Sequence, residues 1–382
     1  MNIPIYLDYN ATTPVAPEVA EEMWPYIRDH FGNPSSINPS GRHNKDAIAK
    51  ARVQVAALIG ASPEEIFFTS GGTESNNHAI RGAVSGNVQK GNHIISSAVE
   101  HPTVTEVCKN LAKQGYDITW LPVDSFGKVT PADVEEAIRP DTALITIMHA
   151  NNETGTIQPI NEIGKITQKH GILFHTDAAQ SLGKIRTNVN ELGVDLLSIA
   201  GHKLYAPKGI GALYIRDGVK LQNLLFGAGQ ERGMRPGTEN VAFIVALGKA
   251  CELAIKNFEI NHDHLFQMRQ RLLEGLKEKC RATIKLNASL ENCLPNTLSI
   301  AFDGVDARTL VSLVSSRVSF STGSACHTGS TEISPVLKAM NADRITAAGT
   351  MRISTGKFTT KEEIGHAVEA ISSAVNQLSN TN

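Results

Sequence analysis

The chain has 382 residues, a hydrophobic content of 41% and a formal net charge of -2. This length and composition suffice for a large domain with a full core and a smaller second domain, and they argue against disorder. The near balance of acidic and basic residues provides no bulk electrostatic attraction to nucleic acid or to an anionic membrane. We therefore expect neither as a partner.

The first residues of the sequence and the pattern of cysteines indicate the cellular compartment of the protein. The strand-like run IYLDY comes within a few positions of Met1 and leaves no room for a secretory signal, and no apolar stretch approaches the length of a membrane span. The cysteines are odd in number and far apart, which predicts neither a disulfide framework nor a CxxC metal site. They are Cys108, Cys251, Cys280, Cys293 and Cys326. We expect reducing cytoplasm and no metal.

Strand-like runs alternate with helix-like segments through the first two thirds of the chain. In chain order the runs are EIFFTS, HIISSAV, ALITIMHA, ILFHTDAA, DLLSIAG and GALYI. One connection, INEIGKITQKHG, has Ile160, Ile163 and Ile166 at helical spacing and Gly171 as a typical helix stop. The alternation predicts an α/β fold with a mostly parallel, doubly wound sheet in a large domain of residues 15–254.

The pattern changes after about Ala254 to a long amphipathic helix, HLFQMRQRLLEGLKEK. Strand-like TLSIAFDG, helix-like ARTLVSLVSS and strand-like VSFSTG and MRIST follow. A final helix is predicted in TTKEEIGHAVEAISSAVNQL, where Thr360 and Glu363 have the spacing of a capping box. We predict a smaller α+β domain made of residues 255–382 together with residues 1–14.

Two strand ends carry residues that indicate chemistry on an amino acid. Asp177 follows the apolar run ILF, and Lys203 follows the run LLSIAGH. A lysine amine can form a Schiff base with an aldehyde cofactor, and an aspartate can hold the ring nitrogen of such a cofactor protonated. Taken alone, Asp177 could instead cap the next helix, and the pair His202-Lys203 could lie on the surface.

A third strand-like run, EIFFTS, leads into SGGTESNNHAI and places Gly71, Gly72 and Thr73 at a predicted helix N-terminus. The free backbone N–H groups and the helix dipole at such a terminus favour a phosphate. By themselves these residues favour an ordinary capped turn without a ligand. The Asp177 and Lys203 motifs downstream make the phosphate interpretation the better one.

Six motifs occur in one order along the chain, namely SGGTESNN, SSAVEHPTV, HANNETGTIQPI, HTDAAQS, GHKLYAPKGIGALY and RPGTEN. With IYLDYNATTP and GNPSS near the start and MRISTG near the end, they resemble the cysteine desulfurases and the related selenocysteine lyases of the class V aminotransferase group. The resemblance covers nearly the whole chain. It implies a fold-type-I transferase that depends on pyridoxal 5'-phosphate.

The resemblance implies roles around the cofactor ring. Lys203 would hold the cofactor as an aldimine and move a proton at the substrate α-carbon, and Asp177 would pair with the pyridinium nitrogen. Gln180 would bind the 3'-oxygen of the ring, and His101 would stack on the ring and serve in acid-base steps. Asn152 would lie beside ring and substrate. Without the family match, His101 would be interpreted as a helix cap or loop residue.

The resemblance also implies how phosphate and substrate are bound. Thr73, with Gly72 beside it, and His202 would bind the phosphate together with Thr238, which in the family comes across a homodimer interface. Arg352 would grip the substrate carboxylate, a role suited to the guanidinium fork, and Asn33 would assist. A structural ion pair of Arg352 would otherwise be equally expected.

One position departs from the family pattern. Many relatives carry a serine two residues before the histidine, where this chain has Ala200. The missing hydroxyl donor should leave cofactor binding somewhat weaker, or water should replace it.

Cys326, in STGSACHTGSTEISPVL, is the residue that defines the reaction. Its flanks of Gly, Ser and Thr predict a mobile, exposed loop rather than a structural cysteine. By the resemblance, its thiolate attacks the γ-sulfur of L-cysteine, keeps the sulfur as a persulfide and leaves L-alanine. Nine residues separate Cys326 from Val336, as in long-loop desulfurases, whereas His327 resembles the selenocysteine lyases.

We expect a cytoplasmic homodimer that desulfurates L-cysteine and passes the persulfide sulfur to an iron-sulfur scaffold or another acceptor protein. Selenocysteine lyase is the first alternative. An aminotransferase would use the same lysine and aspartate, but Cys326 argues against it. A non-enzymatic sulfur carrier or interaction module that retains the fold is a further alternative.

Overall fold

A computed structural model describes residues 4–323 and 333–379, so Cys326 and His327 lie outside the described residues. The strands are β1 (Ile5–Tyr6), β2 (Ile66–Thr69), β3 (His93–Ser97), β4 (Asp117–Leu121), β5 (Thr142–Thr146), β6 (Leu173–Asp177), β7 (Leu196–Ala200), β8 (Gly211–Ile215), β9 (Ile284–Leu286), β10 (Thr297–Phe302), β11 (Val318–Ser319), β12 (Ser321–Thr322) and β13 (Thr350–Ser354). The helices are α1 (Pro17–Arg28), α2 (Pro39–Ile59), α3 (Gly72–Gly86), α4 (Pro102–Ala112), α5 (Pro131–Glu136), α6 (Ile160–His170), α7 (Val189–Leu192), α8 (Val241–Lys256), α9 (Phe258–Lys279), α10 (Ala307–Val314), α11 (Pro335–Ala339), α12 (Arg344–Gly349) and α13 (Lys361–Ser379). Within these two stretches of chain, no helix combines the length and apolar character needed to cross a membrane.

The central sheet has seven strands in the order β2-β8-β7-β6-β5-β3-β4. The pairs β3 with β4, β3 with β5, β5 with β6 and β6 with β7 are parallel. Only β8 runs against its neighbours β2 and β7. The connection from β7 to β8 is too short to hold a crossover helix, so the chain turns back and pairs antiparallel. The predicted α/β fold with a mostly parallel sheet is confirmed.

Both faces of this sheet are covered, which makes it doubly wound. Ile145 and Leu197 pack into one cluster with residues of α1, α2, α6 and α8. Their chain neighbours Leu144 and Leu196 pack into a second cluster with residues of α3 and α4 on the other face. Successive strand residues point to opposite faces, so a strand buried on both sides needs an unbroken apolar run. This explains why the strand-like runs in the sequence do not alternate with polar residues.

A separate core holds the second part of the chain. It joins Leu7 with residues of α9, α10, α13 and the antiparallel sheet β12-β13-β10-β9. The N-terminal strand β1 belongs to this part because it pairs in parallel with β11. The predicted capping box is confirmed, since Glu363 N donates to Thr360 Oγ1 at 3.1 Å and Thr360 N donates to Glu363 Oε2 at 2.8 Å. The domain boundaries at residues 14 and 254 stay a prediction.

The carboxyl ends of β2, β3, β6 and β7 meet at one edge of the central sheet. Strand β6 ends at Asp177, and β7 leads directly into the short 3-10 helix Gly201–Lys203. Strand β3 is followed by His101, and β2 is followed by Gly72. Ligands bind at this edge in open α/β sheets, so the topology itself brings the predicted site residues together.

A buried ion pair fixes the segment ahead of Thr238. Arg52 Nη2 and Nη1 donate to Glu231 Oε1 and Oε2 at 2.6 and 2.9 Å, and Phe68 N donates to Oε2 at 2.8 Å. Glu231 and Arg232 have φ of 46° and 55°, in the left-handed region that side chains with a β-carbon adopt at a cost. The paired and buried carboxylate of Glu231 therefore holds a strained turn in place.

Replacing Arg52 by Met should destabilise the protein by about 3–5 kcal/mol, because Glu231 would keep a buried charge without its partner. Urea-induced unfolding measures this free energy. Lys50→Met on the same helix is the matched control: its pair with Glu22 has exposed side chains, so the unfolding midpoint should not move. Equal effects of the two substitutions would contradict the importance of the buried pair.

Candidate active site

A cleft of about 400 Å³ opens at this edge of the sheet. Nine of the site residues predicted from the sequence line it, namely Gly72, Thr73, His101, Asn152, Asp177, Gln180, His202, Lys203 and Arg352. They come from β6, α3, β13 and the loops that follow strands. The structure thus collects residues that are up to 280 positions apart, since 352 − 72 = 280.

The N-terminus of α3 forms one wall of the cleft. Gly71 has φ of 147°, a conformation that favours glycine, and α3 begins at the next residue. A β-carbon added to Gly72 would lie 3.2 Å from the β-carbon of Ala200, so the backbone approaches the end of β7 closely. Thr73 follows on the same wall. Free N–H groups in the first turn of a helix are suited to an anion.

Lys203 is held by the N-terminal segment of the chain. Its Nζ donates to the carbonyl oxygens of Asn10 and Ala11 at 2.6 and 2.7 Å. Burial, reinforced by the positive charge of Arg352 and opposed by Asp177 and Asp8, lowers the pKa of Lys203 to about 8. A substantial share of the amine is therefore neutral near pH 8 and able to act as a nucleophile.

His202 is kept neutral beside this lysine. Burial lowers its pKa to about 4, and the charge of Lys203 acts in the same direction. One ring nitrogen, Nδ1, lies 3.1 Å from Thr12 Oγ1. The backbone carbonyl of His202 accepts hydrogen bonds from the N–H and the hydroxyl of Thr13, both at 3.0 Å. The imidazole is thus fixed and can offer a neutral N–H to an anion.

Asp177 ends β6 with its carboxylate fixed by two neutral donors. Asn76 Nδ2 donates to Oδ2 at 2.7 Å, and Ala179 N donates to Oδ1 at 2.9 Å. The side chain is buried at 7% exposure. Because neither donor carries a charge, the negative charge of Asp177 stays available to a cationic group in the cleft. This is the property that a pyridinium nitrogen needs from its partner.

His101 is both a helix cap and a residue of the cleft. Its Nδ1 accepts from Thr103 N at 3.2 Å at the start of α4, so the capping role that the sequence also allowed is real. The remaining surface of the ring faces the cleft. Desolvation lowers the pKa of His101, Asp177 opposes the shift and Lys203 reinforces it. A mainly neutral imidazole is therefore expected there, suited to accept or donate a proton.

Arg352 forms an ion pair and still has a free donor. Its Nη2 donates to Asp8 Oδ1 at 2.8 Å and to Ser321 Oγ at 3.0 Å, and its Nη1 donates to the carbonyl of Asn152 at 3.0 Å. The Nε atom is buried and has no hydrogen-bond partner in the described parts of the chain. An orphaned cationic donor beside a cleft is suited to an anionic ligand such as a carboxylate.

Two predicted site residues lie in a different cleft, and a third falls outside the described residues. Asn33 and Thr238 line a second cleft, formed by α1, the start of α2 and the segment before α8. Cys326 lies outside the described residues. A single chain therefore does not bring Asn33 to Arg352, nor Thr238 to Thr73.

Two residues of the cleft were not identified from the sequence. Asn10 is 1% exposed, and its carbonyl accepts from both Lys203 and Gln180. Asn76 holds Asp177. A signal for Asn76 was present, because it lies one helical turn after Thr73 in SGGTESNN and so shares a face with it. Asn10 lies within the motif IYLDYNATTP, but no local signal indicates its hydrogen bonds, since its partners are distant in sequence.

Comparison with known proteins identifies relatives over the whole chain. The family described as class-V aminotransferases matches residues 5–366. The cysteine desulfurase IscS of Dictyoglomus turgidum is 48% identical over 99% of this chain and 96% of its own, and that of Methanosarcina thermophila is 46% identical over 99% and 94%. Among solved structures, a NifS-like protein has a TM-score of 0.91 at 38% identity, covering 98% of this chain and 100% of its own. SspA in complex with cysteine has a TM-score of 0.81 at 39% identity, covering 93% and 99%.

The rate at which the apo-protein forms a Schiff base with pyridoxal 5'-phosphate should rise with pH and level off above about 8, the pKa of Lys203. The neutral amine is the nucleophile, so below that pH the rate should fall about tenfold per unit. Absorbance spectroscopy follows the reaction. Arg352→Gln removes one cause of the lowered pKa, so its midpoint should move to higher pH, whereas the exposed Arg28→Gln should leave it in place. A midpoint unmoved by Arg352→Gln would contradict this electrostatic account.

Proposed function

The chain belongs to the class-V aminotransferase family and, within it, to the cysteine desulfurases, and we propose that it converts L-cysteine to L-alanine in the cleft described above. One observation carries the proposal: Lys203, Asp177 and Arg352 line a single cleft in a chain that is 48% identical to a cysteine desulfurase. A relative of 39% identity has been solved in complex with cysteine, which supports cysteine as the substrate.

The residues of the cleft fit pyridoxal 5'-phosphate, the cofactor on which this family depends. When bound, it supplies an electron sink that stabilises negative charge at the α-carbon of an amino acid. In our proposal Lys203 Nζ would bind the aldehyde carbon, Asp177 would pair with the ring nitrogen and Gln180 with the ring oxygen. Thr73 and His202, with the first N–H groups of α3, would hold the phosphate.

Lys203 is suited to moving the α-proton of the substrate. With a pKa of about 8, its amine exists in both protonation states near neutral pH, so the same atom can accept the proton and return it. When the amine is free, the carbonyl oxygens of Asn10 and Ala11 hold it in place. His101 lies in the same cleft with a lowered pKa and can assist as a neutral acid-base group.

Arg352 is suited to orienting the substrate through its carboxylate. Asp8 and Ser321 fix one end of the guanidinium, which leaves the Nε end for an incoming anion. Asn152 lies against the same arginine through its carbonyl and lines the cleft with it. Holding the carboxylate fixes which side of the α-carbon faces Lys203.

Cys326 is proposed to take the sulfur. Its thiolate attacks the γ-sulfur of the substrate, a sulfur-sulfur bond forms, and the carbon-sulfur bond breaks. The carbon keeps the bonding pair and takes up a proton to give alanine, while Cys326 carries a persulfide. The other four thiols are poorly suited, because burial raises the pKa of Cys108 to about 12 and of Cys280 to about 11, and also raises those of Cys251 and Cys293.

The persulfide sulfur is proposed to pass to an iron-sulfur scaffold or another acceptor protein, as the family resemblance implies. We further propose that this happens in the cytoplasm. The described cysteines are all free thiols, as a reducing compartment would maintain them.

Incubation with L-cysteine should add one sulfur atom to the peptide that contains Cys326, because its thiolate is the proposed acceptor. Mass spectrometry after alkylation detects the added sulfur, and alanine is measured in the same sample. Cys326→Ser should abolish both the modification and alanine formation, whereas Cys280→Ser, a half-buried thiol, should change neither. Added sulfur on another peptide at equal yield would refute the assignment.

A second substitution at the same position, Cys326→Ala, separates cysteine from selenocysteine chemistry. A desulfurase loses activity on both substrates when Cys326 is replaced by Ala. Activity on selenocysteine alone that survives Cys326→Ala would instead establish a selenocysteine lyase.

We also propose that the enzyme is a homodimer in which Thr238 completes the phosphate site of the partner. Thr238 lies in the second cleft of its own chain, beside Ile27 and Phe31. In one chain these apolar side chains are 48% and 86% exposed. Exposed apolar surface around a cleft is typical of an interface, and a second copy would cover it.

Phe31→Asp should therefore shift the protein from dimer to monomer and weaken binding of pyridoxal 5'-phosphate, because the partner's threonine would be lost with the interface. Light scattering after size exclusion gives the mass, and titration of the apo-protein gives the affinity. Ile260→Asp, at a side chain that is 72% exposed on α9, should leave the dimer intact. A Phe31→Asp variant that remains dimeric would place the interface elsewhere.

A further inference from the structure

Lys184 is a buried lysine behind the wall of the cleft. It is 6% exposed, follows Gln180 by four residues and does not itself line the cleft. Its Nζ donates to Gln180 Oε1 at 3.1 Å and reaches Asn10 Oδ1 at 3.4 Å. Both acceptors are neutral amide oxygens. Among the described residues, Lys184 therefore contacts the site through two other side chains.

Packing does not explain an ammonium group in this position. A buried cation without an opposite charge is costly, and a methionine of similar length would fill the space without that cost. The charges that act on Lys184 are those of Lys203 and Arg352, and both are positive. Burial, reinforced by these two cations, lowers the pKa of Lys184 to about 7. The interactions that this amine makes are its hydrogen bonds to Gln180 and Asn10.

The effect of these bonds is to fix the amide of Gln180. Its Oε1 is occupied by Lys184, and its Nε2 donates to the carbonyl of Asn10 at 3.0 Å. An amide held at both atoms cannot exchange the positions of oxygen and nitrogen without losing both bonds. Nε2 carries two hydrogens, so one N–H remains for an acceptor in the cleft that Gln180 lines.

We propose that Lys184 is a positioning residue that orients the Gln180 amide so that an N–H, and not the oxygen, faces the oxygen on the ring of bound pyridoxal 5'-phosphate. The inference rests on the proposed function and adds to it a residue outside the cleft. Without the amine, Gln180 Oε1 would lose its donor, and the amide would reorient or bind water.

A double-mutant cycle tests the proposal on the full-length apo-protein. The variants are Lys184→Met, Gln180→Ala and the double substitution, and the readout is the dissociation constant of pyridoxal 5'-phosphate from fluorescence titration. Lys184→Met should weaken binding about tenfold, as expected for one hydrogen bond to a charged group. In the Gln180→Ala background the same change should have less than about a twofold effect, because the amide through which Lys184 acts is gone.

Two further measurements separate positioning from a general structural role. Lys184→Gln retains an N–H donor and should recover part of the affinity, and Lys249→Met on α8 is the control that should not change it. The thermal unfolding midpoint of the Lys184→Met apo-protein should change little, because removal of a buried cation offsets the loss of its hydrogen bonds.

Undiminished loss of affinity in the Gln180→Ala background, or no loss in Lys184→Met, would overturn the proposal while leaving the proposed function intact. If the wild-type apo-protein does not bind pyridoxal 5'-phosphate, both proposals fail. A lower unfolding midpoint that accounts for the whole change in affinity would also overturn the positioning role.

Discussion

The positions of Lys203 and Gln180 in the cleft depend on hydrogen bonds to one acceptor, the carbonyl oxygen of Asn10. It accepts hydrogen bonds from Lys203 Nζ at 2.6 Å and from Gln180 Nε2 at 3.0 Å. Asn10 is in turn held by Ser354 and Thr297, which belong to β13 and β10 of the second core. One buried residue thus links the lysine on the central sheet to the arginine-bearing strand of the other sheet. Hydrogen bonds of Asn10 to both sheets therefore hold Lys203 and the strand that carries Arg352 next to each other.

The electrostatics of the cleft follow from this convergence. Lys203, Lys184 and Arg352 lie close enough that the charge of Arg352 lowers the pKa of both lysines. Asp177 and Asp8 oppose this effect only in part at Lys203. A surplus of positive charge in a partly buried cleft costs stability and is relieved by an anionic ligand. A phosphate together with a substrate carboxylate would provide that relief. Until they bind, burial and the charge of Arg352 together lower the pKa of Lys203 and keep part of its amine neutral and reactive.

Short sequence patterns predicted strands and helix ends correctly where these are determined by contacts between residues close in sequence. The apolar runs identified six of the seven strands of the central sheet, whereas the partly exposed edge strand β4 (Asp117–Leu121) was not among them. Gly171 ends α6 with φ of 63°, as its position in the sequence indicated. The strand GALYI was recognised, but its antiparallel direction was not, because direction depends on the length and packing of the preceding connection. The ion pair of Arg352 with Asp8 joins residues 344 positions apart, and no pattern within either segment indicates it.

The sequence by itself determined the family, the mostly parallel sheet and nine residues of the cleft. Strand ends, glycine turns and the order of the motifs can be recognised from short stretches of consecutive residues. Only the tertiary structure decided that Asn10 joins Lys203 to Gln180, that Lys184 stands behind that amide, and that Asn33 and Thr238 face a different cleft. Contacts between distant segments depend on how sheets and helices pack in three dimensions. The energy of such contacts comes from burial and from hydrogen bonds that exist only after that packing is complete.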